Sequence, residues 1–381
     1  MLDIVKHECG VAMVRLLKAT QHYEERYGDS YYGLHLLEKL LIRQYNRGQD
    51  GAGIGCIDIS GEEEKVYVIK SEGPSAVEKI AESIDKDIMN EKEWGSDKLP
   101  YYGQLMLGHV RYSTTGRSGI EFLHPFRYDF KEKKESFLMC GNFHLINTPQ
   151  ISSRLSRLGI DISPDADTKV LLNHIATAHF TETGERRSIG DTLKMTAPDW
   201  DGGFVICGID TFGEWWAVRD SHGIRPAFWY SDDEKVILAS EKSAIRNCAG
   251  VDPAQIRELH PGVMIKVDRA GKLSFKRIIE EKPIRECVFE RIYFSRADNS
   301  EITLEREKLG YYLANRMEEE HLIDLGHTFF SFVPASARSS FLGMIAYFAD
   351  RKLPVTAQSL AGDSDKKNEP HLLISNRNGK V

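Results

Sequence analysis

Residues 9–17 read CGVAMVRLL: a cysteine, a glycine, then an apolar run interrupted only by Arg15. That pattern predicts a strand buried on both faces, and it starts abruptly after a short polar leader, MLDIVKHE (1–8). Leu34, Leu37, Leu40 and Leu41 share one face of a helix predicted over about Ser30–Tyr45, and NRGQDGAGIGCIDI (46–59) follows as a glycine-rich turn into a strand. VYVIK ends a further strand at Lys70; the stretch from Pro74 to Lys98 reads as helical at first, then charged and loop-like. QLMLGHVRYSTTG (104–116) and ESFLMCGN (135–142) resume strand character, and DTKVLLNHIATAHF (167–180) reads as a helix with Asp167 as its N-cap.

From Gly203 to Phe275 the chain is a series of short strands (FVICGID, EWWAVRD, AFWYS, KVILAS, VMIKVD, KLSF) separated by turn residues, which predicts antiparallel sheets. Cys9 to Lys282 therefore reads as an α+β domain in which sheets are covered by helices. After Pro283 the texture changes. CVFERIYFS, a helix over about Ile302–Glu319, TFFSFV, a helix over about Ala337–Ala349 and VTAQSL alternate as βαβαβ, predicting a parallel sheet. The polar stretch 361–381 offers only LLIS as a strand and reads as a tail or a cut end.

At 381 residues the chain has room for two domains, and its 50 Lys plus Arg against 57 Asp plus Glu leave a formal charge of −7. Without a basic stripe, nucleic acid is excluded as the main partner. No apolar run reaches the roughly 18 residues of a membrane span, and the leader has no signal-peptide core, so the cytoplasm is the expected address. Cys9, Cys56, Cys140, Cys207, Cys248 and Cys287 form no CxxC pair, so most are expected to be reduced and inert.

GAGIGC (51–56) nearly spells a dinucleotide fingerprint, but Cys56 stands where the last glycine belongs, and the motif precedes a strand rather than opening a helix. Its glycines are better read as allowing close packing. RGQDGAG (47–53), GHVRYSTTG (108–116), CGN (140–142) and DADT (165–168) are polar, glycine-rich segments bordering buried strands. Each taken singly is a turn.

In order, CGV at Cys9, RGQDGAGI at Arg47, GHVRYSTTG at Gly108, DT at Asp167, RDSHGIRP at Arg219, ASE at Ala239 and CVFERIYFSRAD at Cys287 resemble the amidophosphoribosyltransferases. That family begins with a class II glutamine amidotransferase domain. The resemblance implies an N-terminal-nucleophile hydrolase fold, an αββα four-layer sandwich, over residues 9–282, and an incomplete α/β phosphoribosyltransferase domain over 283–381. The implied activity is the first step of purine synthesis, in which glutamine and phosphoribosyl pyrophosphate give 5-phosphoribosylamine.

The resemblance also assigns roles. Cys9 would be the nucleophile, and its freed α-amino group the base, with a reference pKa of about 7.7 to 8.0; residues 1–8 would then be a propeptide cut between Glu8 and Cys9. Asn142 would stabilise the oxyanion together with the backbone N–H of Phe143, which stands where the family has glycine, followed by His144 where it usually has asparagine. Arg111 would clamp the glutamine carboxylate, Asp167 would take its ammonium, Thr114 and Gly116 would line the pocket, and Arg47 would brace the loop beside Cys9. Arg225 supports a turn on its plainest reading. Cys287 matches an iron–sulfur ligand of some members, but a cluster needs four thiolates and none is expected here.

Mg²⁺ belongs to the complete phosphoribosyltransferase half, and no cofactor is expected in this chain. FVPASARSSFLGMIAY (332–347) resembles the opening strand and helix of that half, with 334–337 at its first loop, and the likeness fades after about Leu360. The open alternatives are a fragment or early stop of a longer enzyme, a stand-alone glutaminase, an amidotransferase of the glucosamine-6-phosphate synthase type, which would lack GIRP and YFSRAD, and a binding paralogue without catalysis. A homo-oligomer is compatible with all of them.

Overall fold

The computed structural model describes residues 9–61, 64–93, 99–112, 119–130, 135–162, 167–333 and 337–357. The leader 1–8 and the tail 361–381 with its LLIS lie outside the described residues. The chain divides into two compact units, Met1–Cys287 and Val288–Val381.

In the first unit the strands, in chain order, are β1 (Gly10–Leu16), β2 (Gly51–Asp58), β3 (Lys65–Glu72), β4 (Leu105–Arg111), β5 (Phe126–Phe130), β6 (Glu135–Leu145), β7 (Gly202–Asp210), β8 (Trp215–Arg219), β9 (Phe228–Ser231), β10 (Lys235–Ala239), β11 (Arg257–Glu258), β12 (Val263–Val267) and β13 (Leu273–Arg277). They form a seven-stranded sheet of order β11-β9-β10-β1-β4-β2-β3 and a six-stranded sheet of order β13-β12-β8-β7-β6-β5. Every pairing in both is antiparallel, as the short-strand pattern predicts.

The period-2 alternation of each strand explains the layering. Val11 and Met13 of β1 and Leu105 and Leu107 of β4 pack against Leu138, Cys140, Val205 and Cys207 of the other sheet. Their neighbours Ala12, Val14, Met106 and Val110 turn the other way, to helices α2 (Tyr32–Ile42) and α3 (Ala76–Glu93) and to the last helix of the unit. The outer face of the second sheet, with Phe137, Met139, Phe204 and Trp216, meets Ile151, Leu155, Val170, Leu171, Ile189 and Leu193 from three further helices. With α1 (Thr20–Tyr27) preceding α2, these are α4 (Thr148–Arg157), α5 (Asp167–His179) and α6 (Ile189–Thr196), and the last is α7 (Lys242–Ala249). The result is an αββα sandwich, and β1, central and covered on both faces, is buried at every position. Each aliphatic side chain sealed in such a layer contributes about 1.5–3 kcal/mol.

Differences from the sequence reading include a helix and two element ends. α1 has a polar composition that hides it; it is held by Tyr23, wholly buried, whose hydroxyl donates to the Glu234 carbonyl. α3 continues to Glu93 because Ile80, Ile84 and Ile88, spaced four apart, stay buried. β6 extends to Leu145 instead of stopping at Asn142, so Asn142, Phe143 and His144 all lie in strand.

CVFERIYFS (287–295) is not the expected strand: Glu290–Phe294, in the second unit, is a π-helical turn. Its aromatic and β-branched content suggests strand, but Glu290 and Phe294, four apart, are the buried positions. Ser295 N–H donates to Glu290 O at 2.8 Å, and the buried Arg306 guanidinium donates to Arg291 O at 2.9 Å and Ser295 O at 2.7 Å, which holds the widened turn. Helix α8 (Ser300–Glu319) follows, capped by Asn299, then α9 (Ala337–Asp350), with β14 (Phe329–Phe330) and β15 (Thr356–Ala357) paired in parallel. The alternation is therefore αβαβ after a helical turn, around Ala314, Phe330, Tyr347 and Phe348.

Candidate active site

One edge of the first sheet collects the chain ends that matter. The register pairs Gly10 with Val110, Ala12 with Ala239 and Gly51 with Arg111, so the start of β1, the ends of β4 and β10 and the start of β2 meet there. Cys9, half-buried, directly precedes β1 and takes the alternation set of Val11 and Met13, which faces the second sheet. The strand end is fastened on both sides: Val11 N–H donates to Ser240 Oγ at 3.1 Å, and Gln44 Nε2 donates to Val11 O at 3.2 Å and to Leu40 O at 3.1 Å. Arg47, fully buried, donates from Nε to Glu241 Oε1 at 2.8 Å, and its Cβ stands 3.5 Å from where a Cβ on Gly10 would lie.

The glycines of RGQDGAGI answer to close approach, as the sequence suggested. A Cβ on Gly48 would fall 2.4 Å from the Arg111 carbonyl carbon, and one on Gly53 would fall 2.0 Å from His124 O. Both distances are below any tolerated contact, so β2 and its leading turn reach Arg111 and His124 only with glycine here.

Level along the second sheet follows from its own contacts. Leu138 Cδ1 sits 2.8 Å from the Cβ position of Gly55, and Cys140 Sγ points at Gly108 O at 3.8 Å. Two residues further along β6, Asn142 has the same parity and is advanced toward the edge that holds Cys9 and Arg111. It is 1% exposed, and its Nδ2 has no hydrogen-bond partner among the described residues. Leaving such a donor unmade costs about 1–3 kcal/mol, so a partner for it, a ligand among them, is to be looked for.

Phe143 also has a donor to offer. Asp220 N–H donates to Phe204 O at 2.8 Å, and Phe204 N–H donates to Asp220 Oδ2 at 3.2 Å, so both polar groups of Phe204 turn away from β6. The pair Phe143–Phe204 is consequently the wide kind, and Phe143 N–H points out of the β6–β7 ladder. Gly141 N–H, on the same side, reaches His124 Nδ1 at 3.2 Å. Phe143 needs no left-handed backbone to do this; it is not among the non-glycine residues with positive φ.

Asp167 opens α5, and its Oδ1 accepts Thr168 N–H at 2.7 Å. Burial pushes its carboxyl above the ordinary carboxylate range, countered by the Thr168 hydrogen bonds and by the charges of His144 and Arg111. His144 is held below the usual histidine range by burial and by Arg225, with Asp167 opposing. Arg111, Asp167, His144 and Arg225 thus act on one another electrostatically, and the Arg111 guanidinium lies 5.8 Å from the Phe122 ring centre. The structure brings Cys9, Arg47, Arg111, Asn142, Phe143 and Asp167 to one end of the sandwich; Thr114 and Gly116 lie outside the described residues.

Sequence reasoning gave no role to Gln44, Ser240, His124 or Thr168. A glutamine or serine tying two strands, and a histidine between two sheets, have no periodicity or motif to announce them. His109 and His124 are both buried between the sheets with ring centres 4.2 Å apart. Burial, then the charge of Arg111, lowers His109 to about 3, and burial with His109 and Lys70 holds His124 well below 6.5. The unfolded chain takes up protons near pH 6.5 that the folded chain refuses. Stability is therefore level above that pH and falls as pH drops toward about 3, by about 2 kcal/mol for His109 alone between pH 7.5 and 5. Urea unfolding at the two pH values should show this loss, and His109→Gln should remove its share; an unchanged midpoint would contradict neutral burial.

A family model described as a glutamine amidotransferase domain matches residues 128–247. An amidophosphoribosyltransferase of Bacillus subtilis (strain 168) is 28% identical over 344 residues, covering 89% of this chain and 62% of that protein. One of Staphylococcus aureus (strain Mu50) is 28% identical over 297 residues, 78% of this chain and 51% of that protein. This chain therefore spans about half to three-fifths of the length of these curated relatives. Among solved structures, the glutamine phosphoribosylpyrophosphate amidotransferase from B. subtilis, complexed with ADP and GMP, superposes with a TM-score of 0.67 at 23% identity, covering 95% of this chain and 69% of that one. The chain resembles the amidophosphoribosyltransferases in sequence, and over the matched residues it shares the fold of the solved one: an αββα sandwich followed by an α/β unit. No helix among the described residues is long and apolar enough to cross a membrane.

Proposed function

We propose that this chain carries the glutamine-hydrolysing half of an amidophosphoribosyltransferase, with Cys9 as nucleophile. The observation that supports it most is the buried amide nitrogen of Asn142, without a partner among the described residues, on the sheet facing the edge where Cys9 and Arg111 meet. Cys9 Sγ attacks the side-chain amide carbon of glutamine, and the carbonyl electron pair moves onto oxygen, where Asn142 Nδ2–H and Phe143 N–H donate to it. Preorganised donors of this kind are each worth about 10²–10³ in rate. The thiol proton passes to the α-amino group of Cys9 and on to the leaving nitrogen; the C–N bond breaks, ammonia departs, and water hydrolyses the thioester to glutamate. Arg111 holds the substrate carboxylate, Asp167 its ammonium, and Arg47 braces Gly10; Thr114 and Gly116 are assigned to the same pocket.

Ammonia then displaces pyrophosphate from phosphoribosyl pyrophosphate to give phosphoribosylamine, and we assign the second unit to the opening of the half that does this. Cytoplasmic residence goes with the reading. Among the described residues no three His, Cys, Asp or Glu side chains come together to hold a metal ion, and no step here runs through one.

The base requires a free amino group on Cys9, because a peptide nitrogen is not basic. Active protein is expected to begin at Cys9 by intact mass and N-terminal sequencing. Full glutaminase turnover from chains that still begin at Met1 would overturn the amino-group base.

A further inference from the structure

His124 is buried and makes hydrogen bonds through both ring nitrogens. Gly141 N–H, at 3.2 Å, can only donate, so Nδ1 is the accepting, unprotonated nitrogen. A neutral ring then carries its proton on Nε2, which donates to Thr168 Oγ1 at 2.9 Å. With that lone pair taken, the Thr168 hydroxyl proton turns to Asp167 Oδ1 at 3.3 Å, the same oxygen that accepts Thr168 N–H at 2.7 Å. The order of donors is thus forced from one end to the other: Gly141 to His124, His124 to Thr168, Thr168 to Asp167. Burial supports the neutral ring, since it disfavours the imidazolium.

The two ends of this chain are not arbitrary. Gly141 immediately precedes Asn142 and Phe143 on β6, so its peptide sets the height of both oxyanion donors. Asp167 is the assigned ammonium acceptor, and the relay occupies its Oδ1, which leaves Oδ2 for the substrate. His109, its ring centre 4.2 Å from that of His124, packs against the imidazole and keeps it from swinging between the sheets.

We propose that His124, fixed as the Nε2–H tautomer, is a positioning residue that links the oxyanion strand at Gly141 to the substrate-ammonium carboxylate at Asp167. This rests on the reading of Asn142 and Asp167 given above. The two arms are separable by chemistry. Asparagine in place of His124 keeps an acceptor where Nδ1 was and loses the Thr168 arm; glutamine keeps a donor near Nε2 and loses the Gly141 arm.

His124→Asn should raise the KM for glutamine about tenfold with kcat within about threefold of wild type, and His124→Gln should lower kcat about tenfold with KM little changed. The same loss in both variants, or no loss in either, would overturn the proposal, because a merely structural histidine has no reason to split the two constants. If both variants fail to fold, the wild-type protein decides: two-bond ¹H–¹⁵N correlation on ¹⁵N-histidine-labelled protein at pH 7 should show His124 Nδ1 bare and Nε2 protonated. The opposite tautomer, or an imidazolium, overturns the linkage. Wild type with that tautomer but without Cys9-dependent glutamine hydrolysis would instead overturn the function proposed for the site.

Discussion

Cys9→Ala is expected to abolish glutamine hydrolysis, by at least about 10³-fold, because it removes the atom proposed to form the thioester while leaving the proposed binding groups in place. The substitution deletes one partly buried sulfur ahead of β1, so urea stability should stay within about 1 kcal/mol of wild type. Three of the other thiols offer no substitute. Cys56 and Cys140 are sealed in the sandwich, where burial pushes both thiols far up, and Cys248 is raised by burial to about 11. Glutamate release from matched wild-type and Cys9→Ala protein, both beginning at residue 9, measures the effect. Turnover that survives the substitution would remove Cys9 from the mechanism and with it the reading of the whole edge.

The polar, glycine-rich segments were legible because their chemistry is local: RGQDGAG and GHVRYSTTG announce loops at strand ends, and the structure sets the start of β2 and the end of β4 beside the start of β1 through the pairs Gly10–Val110 and Gly51–Arg111. The antiparallel strands after Gly203 were legible for the same reason, since alternation and turn residues are read within a few positions. What escaped is set by partners distant in sequence. Gln44 is spaced like any helix-end residue, yet it accepts Ser240 N–H at 3.1 Å across 196 positions. CVFERIYFS has the composition of a strand, and only the Arg306 guanidinium, arriving from α8, decides for a π-helical turn. Phe143 looked like a damaged oxyanion glycine, whereas its extended backbone directs the N–H out of the ladder without glycine's freedom.

Glu241→Gln is expected to destabilise the protein by about 3–5 kcal/mol, since it takes a counter-charge from a guanidinium with no access to water. Arg47 is fully buried, Glu241 is 3% exposed, and Oε1 of the carboxylate accepts both Arg47 Nε at 2.8 Å and Asn46 Nδ2 at 2.9 Å. The amide keeps the shape and one acceptor, so the loss reports charge and not volume. Against a total stability of about 5–15 kcal/mol, such a loss brings the fold close to its limit, and urea denaturation should show it as a large fall in midpoint at unchanged slope. The double variant Arg47→Met, Glu241→Leu should recover most of the stability, because a pair of apolar side chains carries no desolvation cost. It should not recover glutamine hydrolysis: Arg47 Cβ packs beside Gly10, and the segment bearing Glu241 follows the strand that pairs with β1, so the ion pair is placed to fix where the proposed nucleophile stands. A single variant within about 1 kcal/mol of wild type would show that water or another anion reaches the guanidinium, and a double variant with full activity would show that Cys9 is held in place without it.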